Sequence, residues 1–146
     1  MSKKPNILPL ELKDVSFEVN SMRYIKEINF ILHAGANTIV LGPNGAGKSL
    51  FLRLCHGLVV PSNGSINWLG HCAEKPEKYQ AMVFQKPIML KRSVIENLHF
   101  GLKCRRISKK IREPIVERII EQIGLSRLSK IPARSLSTGE QQRLAI

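Results

Sequence analysis

A glycine-rich octapeptide is the feature that most constrains the fold of this chain. Gly42-Pro-Asn-Gly-Ala-Gly-Lys48-Ser49 follows an apolar run over residues 38–41 and precedes an amphipathic run that starts at Leu50. Glycine permits backbone conformations and close approaches that a Cβ would block, so successive N–H groups can point into one concavity. A helix that begins near Gly47 adds the positive end of its dipole. The order of strand, glycine-rich loop and helix is typical of a phosphate-binding P-loop.

Two side chains at the end of this loop supply the chemistry that glycine cannot. We expect the Lys48 ammonium to reach the β- and γ-phosphate oxygens of a nucleotide, and the Ser49 hydroxyl to bind Mg²⁺. The alternative is a chance glycine-rich turn. The flanking strand and helix patterns favour the phosphate site.

Length and composition predict one globular domain over residues 1–146, because the chain is long enough for a real core and is 43% apolar and 23% charged. No apolar run approaches the roughly 18 residues that a membrane span needs. The three cysteines are far apart and lack metal-site spacing, which indicates reduced thiols in a cytosolic compartment.

A formal charge of +12 is typical of chains that bind nucleic acid or an anionic membrane surface. Part of the excess reflects a scarcity of acids, since Asp14 is the only aspartate. Six of the ten residues from Lys103 to Arg112 are cationic and none is acidic. Because no stacking aromatic or apolar anchor is interleaved in this run, we interpret it as a solvated surface segment, and no nucleic-acid partner is expected.

Hydrophobic periodicity and turn residues predict the remaining elements. The predicted strands are 10–19 with an irregularity near Asp14, 25–32, a buried strand 38–41, 65–69, and a short strand 81–84. The predicted helices run from Lys48 to Gly57, from a capping box at Ser93 onward, and from Glu113 to Ile123 with Pro114 in the first turn.

A second motif, Leu136-Ser-Thr-Gly-Glu-Gln-Gln142, predicts another helix start. Ser137 and Glu140 have the spacing of a capping box, so Thr138 and Gly139 lie at a helix N-terminus. Such a terminus presents free N–H groups and a positive dipole to an anion. Many helices start this way without binding an anion. In a chain that already has a P-loop, however, a second helix N-terminus suited to phosphate favours a second anion site.

These motifs together resemble the nucleotide-binding domain of the ATP-binding cassette (ABC) family over all 146 residues. Residues 42–49 resemble the Walker A motif, Gln85 the Q-loop glutamine, and residues 136–142 the LSGGQ signature, with departures at Thr138 and Glu140. The fold that this resemblance implies is α/β: a P-loop NTPase core with an N-terminal antiparallel β region and a helical insertion over about 86–136.

The resemblance also implies function: the ATP-binding subunit of an ABC membrane transporter, with ATP and Mg²⁺ as cofactors. ATP would lie between the Walker A of one subunit and the signature of the other, in a homodimer or a paired cassette. Ser49 and Gln85 would bind the metal. Transmembrane permease subunits would dock near residues 93–98 and hold the chain at the cytoplasmic face of the inner membrane as a peripheral protein. The implied nucleotide-binding residues are Gly42, Pro43, Asn44, Gly45, Ala46, Gly47, Lys48, Ser49, Leu50, Gln85, Ser137, Thr138, Gly139 and Glu140.

Residues 85–93 look like those of bacterial importers of oxyanions such as tungstate or phosphate.

Two departures from the family pattern matter. The position of the adenine-stacking aromatic is Val19, with Tyr24 as a possible substitute. The sequence has no match to Walker B, with its aspartate and glutamate, or to the switch histidine, so we expect a C-terminally incomplete cassette that binds nucleotide without turnover and contains no catalytic residue. The alternatives are a soluble ABC protein that acts on ribosomes or nucleic acid, and a non-catalytic fragment.

Overall fold

The computed structural model describes residues 6–146, and the chain divides into two units after Met82. The described part of the first unit contains a three-stranded antiparallel sheet and one α-helix. The second unit contains three α-helices. Short 3₁₀ turns complete the described elements, at Pro76–Lys78, Ser126–Leu128 and Ala133–Ser135.

The sheet has the order β2-β1-β3, with β1 at Leu10–Val19, β2 at Met22–Leu32 and β3 at Asn63–Trp68. β1 and β2 form a hairpin whose two turn residues, Asn20 and Ser21, both have positive φ, as a type I′ turn requires. The predicted irregularity near Asp14 is confirmed: Asp14 has φ 48°, and the β1–β2 register shifts between Leu12 and Val15.

Helix α1, Lys48–His56, covers the sheet of the first unit. Leu54 is fully buried in a cluster with Leu10, Leu12 and Val15 of β1. Burial of each such side chain contributes roughly 1.5–3 kcal/mol to stability. The helix ends as predicted at Gly57, whose φ of 78° suits glycine. This packing fixes the helix start at the end of the glycine-rich loop.

The second unit consists of α2 at Val94–Cys104, α3 at Lys109–Gln122 and α4 at Thr138–Ala145. One cluster of buried residues comes from all three helices and from the segments before and between them: Met89, Val94, Ile120, Leu125, Ala133, Leu136 and Leu144. Leu136 precedes α4 and Leu144 lies in its last turn, so this core holds the helix in place. The predicted helical insertion over about 86–136 stays a prediction.

Two predicted strands are wrong. Residues 38–41 and 81–84 form no strand, and the side chains that the prediction buried are exposed: Ile39 is 80% and Leu41 85% exposed. An isolated extended segment is not a strand, because strand backbone must exchange hydrogen bonds with a neighbour. No described strand pairs with either segment. An apolar run in the sequence predicts a buried strand, but it does not show whether a neighbouring strand is present to pair with it.

Two expectations about the third helix region also need correction. α3 begins at Lys109, one turn before the predicted Glu113, so Pro114 lies inside the helix. The backbone N–H groups of Ile111 and Arg112 bond the Ser108 carbonyl, which starts the helix without a side-chain cap. The basic run also contains an exposed apolar side chain, since Ile111 is 57% exposed in the first turn of α3. Val116 and Ile120 of this helix are buried.

Candidate functional site

The loop before α1 has the backbone geometry that the sequence predicts. Gly45 and Gly47 have φ of 84° and 83°, in the left-handed region that favours glycine. The Ala46 N–H donates to the Pro43 carbonyl at 3.2 Å and closes a turn inside the loop. The Phe51 N–H then donates to the Gly47 carbonyl at 2.8 Å, which begins the helix. The loop thus ends at a helix N-terminus that carries no acidic residue in its first turn.

The Lys48 side chain folds back over its own loop. Its ammonium donates to the Gly42 carbonyl at 2.8 Å and to the Pro43 carbonyl at 2.7 Å. An ammonium has three donors, so one remains for a ligand. The two carbonyl bonds fix a positive charge against the loop, where it adds to the dipole of α1.

Strand β2 supports the loop from behind. A Cβ built on Gly47 would lie 3.0 Å from Ile25 Cδ1 and 3.4 Å from the Tyr24 carbonyl oxygen. Glycine is therefore required here for its φ and also for close approach. The Tyr24 ring is 52% exposed on a residue whose carbonyl faces the loop, whereas Val19 pairs with Met22 beside the hairpin turn and is 45% exposed. The backbone of Tyr24 therefore lies against Gly47.

The second motif forms the start of α4 with both hydrogen bonds of a capping box. The Glu140 N–H donates to Ser137 Oγ at 3.4 Å. The Glu140 carboxylate accepts from the Ser137 N–H at 2.8 Å and from the Ser137 hydroxyl at 2.7 Å. The hydroxyl bond is the main cause that lowers the pKa of Glu140, followed by the backbone bond, so the group is anionic at neutral pH. Thr138 and Gly139 are exposed at the first two positions of the helix.

Gln141 is a positioning residue that sequence reasoning missed. Its side-chain amide donates to the carbonyl of Leu136 at 2.9 Å and to that of Arg134 at 3.3 Å. Arg134 in turn donates from Nε to the Met89 carbonyl at 3.0 Å. These bonds tie the segment before α4 to the core of the second unit. The signal was present in the sequence, since Gln141 stands one helical turn after Ser137.

Gln85 is exposed and precedes α2 in the second unit. The structure thus brings together residues 42–50 in one loop and residues 137–140 at one helix start. No group of three or more His, Cys, Asp or Glu side chains in residues 6–146 could hold a metal ion. A Mg²⁺ ion bound through nucleotide phosphates needs only one or two protein oxygens, so the exposed Ser49 hydroxyl fits it. No helix among the described residues is long and apolar enough to span a bilayer.

Known proteins resemble the chain along most of its length. The sequence profile of the ABC transporter family matches residues 25–146. The tungstate uptake system ATP-binding protein TupC of Peptoclostridium acidaminophilum is 38% identical over 114 residues, 77% of this chain and 53% of that protein. The taurine import ATP-binding protein TauB of Shigella boydii is 36% identical over 123 residues, 84% of this chain and 48% of that protein. The chain therefore spans about half the length of these curated relatives.

A solved structure shares the fold. It is the dimeric post-hydrolysis structure of an ATP-binding cassette bound to ADP and Pi, with a TM-score of 0.79 and 22% sequence identity, over 93% of this chain and 66% of that one. The glycine-rich loop, its helix and the sheet behind them define an α/β domain of the P-loop NTPase class. Within that class, the chain belongs to the ABC transporter family.

Proposed function

We propose that this chain binds MgATP on the loop 42–50 as part of the ATP-binding subunit of an ABC importer. The observation that supports it most is the position of the Lys48 ammonium, 2.8 and 2.7 Å from the Gly42 and Pro43 carbonyls. A fixed cation, a helix N-terminus and two left-handed glycines converge there, which suits the β- and γ-phosphates of a nucleotide. Lys48 stabilises the phosphate charge, while the backbone N–H groups of residues 44, 45 and 47–49 orient the phosphates, since Pro43 has no N–H and that of Ala46 bonds the Pro43 carbonyl.

The metal would be held mainly by the nucleotide. Ser49 offers one hydroxyl oxygen at the second position of α1, and Gln85 offers one exposed amide oxygen. Both oxygens are neutral; Ser49 belongs to the first unit, and the role of Gln85, in the second unit, rests on its match to the family pattern. When bound, the ion offsets the charge on the phosphates. Tyr24 is our candidate for the adenine contact, because its carbonyl faces Gly47 and its ring is exposed.

The signature helix would complete the site on a second cassette. Ser137, Thr138, Gly139 and Glu140 form the N-terminus of α4. The capping box uses the N–H groups of Ser137 and Glu140, which leaves those of Thr138 and Gly139 to meet a γ-phosphate. A structural relative of this chain is a dimer bound to ADP and Pi, which supports a homodimer or a paired cassette with nucleotide between subunits. The ATP hydrolysis that drives transport would belong to that assembly.

The membrane-spanning partner of the chain would be a permease. Relatives of the chain include ATP-binding proteins of tungstate and taurine uptake systems, which supports import of a small oxyanion across the bacterial inner membrane. The surface around Gln85 is apolar and exposed, with Ile88 83% and Phe84 39% exposed, which suits a permease contact. The chain would then be peripheral, at the cytoplasmic face of that membrane.

ATP-dependent dimerisation tests the proposed site. The Cβ position of Gly139 lies in open space and its φ is not left-handed, so Gly139→Tyr fits the fold and blocks the surface that would meet a second copy. We expect the chain to dimerise with MgATP in analytical ultracentrifugation, and Gly139→Tyr to stay monomeric while nucleotide still binds the P-loop. Lys48→Ala should lose both nucleotide binding and ATP-dependent dimerisation. Dimerisation of Gly139→Tyr at the level of the parent chain would refute the role of the signature.

A further inference from the structure

The corner between α2 and α3 concentrates positive charge on one exposed surface of the second unit. The five exposed cations of this corner, here called the basic corner, are Lys103, Arg105, Arg106, Lys109 and Lys110. Arg112 is different, because it is half-buried and its Nη1 donates to the His99 carbonyl at 3.1 Å, which joins α3 to α2. The corner is therefore a turn between two helices that are joined by a hydrogen bond, and its cations are exposed.

The helix dipole accounts for Lys103 in the last turn of α2, but not for the lysines at the start of α3. Lys109 and Lys110 occupy the first turn of α3, where the helix dipole favours acidic side chains, and no acidic residue is present there. Arg106 has φ 58°, a left-handed conformation that non-glycine residues rarely adopt, and its N–H bonds the Lys103 carbonyl at 2.8 Å. The carboxylate of Glu113 lies 3.8 Å from Lys109, and both of these side chains are largely exposed.

An exposed apolar side chain accompanies the charge. Ile111 is 57% exposed in the same turn of α3 as Lys109 and Lys110. Single-stranded nucleic acid is bound by aromatic platforms as well as cations. The nearest aromatic residue, Phe100, lies one turn before Lys103, but the Arg92 guanidinium lies over its ring at 5.2 Å from the centroid, and no aromatic residue follows it in the sequence. A cluster of cations with an apolar side chain suits the boundary between anionic headgroups and acyl chains. The chemistry of the corner thus favours a lipid surface over RNA.

We propose that the basic corner binds the surface of an anionic phospholipid bilayer, with Ile111 inserted at the headgroup boundary. The cations approach the phosphates of several lipids, and no covalent step is involved. This contact is separate from nucleotide and permease binding, since it uses none of the residues 42–50, 84–98 or 137–140. This contact would attach the chain to the membrane independently of its contact with a permease.

Vesicle partitioning with a charge-matched control tests the proposal. The corner variant is Lys103→Gln, Arg106→Gln and Lys110→Gln, and the control variant removes the same charge from exposed positions of the same unit: Arg118→Gln, Arg127→Gln and Lys130→Gln. Each cation near an anionic surface strengthens partitioning about fivefold, so the corner variant should lose about a hundredfold in affinity for phosphatidylglycerol vesicles. The control variant should lose far less, and pure phosphatidylcholine vesicles should bind none of the chains.

Further measurements complete the test. Binding should weaken as salt rises, because headgroup attraction is screened. Ile111→Gln keeps every charge and should weaken binding several-fold through the lost apolar contact. Far-ultraviolet circular dichroism confirms that each variant folds. The proposal is overturned if the corner and control variants lose equal affinity, if the parent chain does not bind anionic vesicles, or if polyuridylate binds through the corner and vesicles do not. None of these outcomes depends on MgATP, so the proposed nucleotide site is tested separately.

Discussion

Gly47→Ala should destabilise the first unit by an amount that follows from the loop geometry. Gly47 has φ 83°, and an alanine in a left-handed conformation costs about 1–2 kcal/mol. The added Cβ would lie 3.0 Å from Ile25 Cδ1, which is the flexible end of a side chain and can shift by a few tenths of an ångström, and 3.4 Å from the Tyr24 carbonyl. The backbone strain therefore dominates. With a urea slope of about 1.5 kcal/mol per M, the unfolding midpoint should fall by about 1 M.

Trp68 makes this measurement specific. It is the only tryptophan of the chain and lies in β3, in the same unit as Gly47, so its fluorescence follows the unit that the variant changes. Gly101→Ala is the matched control, since Gly101 lies inside α2 with open space at its Cβ and no left-handed φ. That variant should stabilise α2 by about 0.5–1 kcal/mol. A Gly47→Ala midpoint equal to or above that of the parent chain would refute the strain at Gly47.

Three further changes test the caps and the base contact. Gln141→Ala removes the amide bonds to the Leu136 and Arg134 carbonyls and should weaken ATP-dependent dimerisation in ultracentrifugation, while Gln142→Ala, an exposed neighbour, should not. Hydrogen bonds from Ser93 and Ser137 hold the pKa values of Glu96 and Glu140 below the usual 4.5, so both caps stabilise their helices fully above pH 4.5 and lose this contribution as pH falls through the lowered pKa values. The double variant Glu96→Gln with Glu140→Gln should show a weaker loss of helicity on acidification, and an unchanged acid profile would contradict the assignment. Because Tyr24 is our candidate for the adenine contact, Val19→Tyr should leave the affinities for ATP and for inorganic triphosphate unchanged; a gain of about 1–3 kcal/mol with ATP alone, the range for aromatic–base stacking, would contradict the assignment of the base contact to Tyr24.

The sequence predicted the elements whose signals are local. Turn residues and caps act within a few positions, which is why the Ser93 and Ser137 capping boxes, the Gly57 helix end and the irregularity at Asp14 were all predicted and confirmed. The P-loop belongs to the same group. Its glycines and Lys48 specify a backbone shape through φ and close approach, and neither depends on distant parts of the chain.

The errors concern properties that depend on neighbours in space. Residues 38–41 are as apolar as a buried strand, yet a strand forms only where another strand accepts and donates its hydrogen bonds. The exposure of Ile111 was missed because a run of letters does not show which side of a helix faces the core. The early start of α3 was missed because Pro114 was placed in the first turn, whereas the helix contains it in the second turn, where it lacks the N–H for one helical hydrogen bond. The hydrogen bonds from the Lys48 ammonium to the loop carbonyls likewise could not be predicted from the sequence, because they depend on the path of the side chain.

Calorimetric titration of the chain and of Lys48→Ala with MgATP tests the central claim most directly. The parent chain should bind with one nucleotide per chain, and Lys48→Ala should bind about ten- to a hundredfold more weakly, because a hydrogen bond from a charged donor contributes about 1.5–3 kcal/mol. Lys26→Ala, which removes an exposed charge from β2, should bind MgATP as the parent chain does. Equal affinities of the parent chain and Lys48→Ala would contradict the assignment of the loop 42–50 as the nucleotide site.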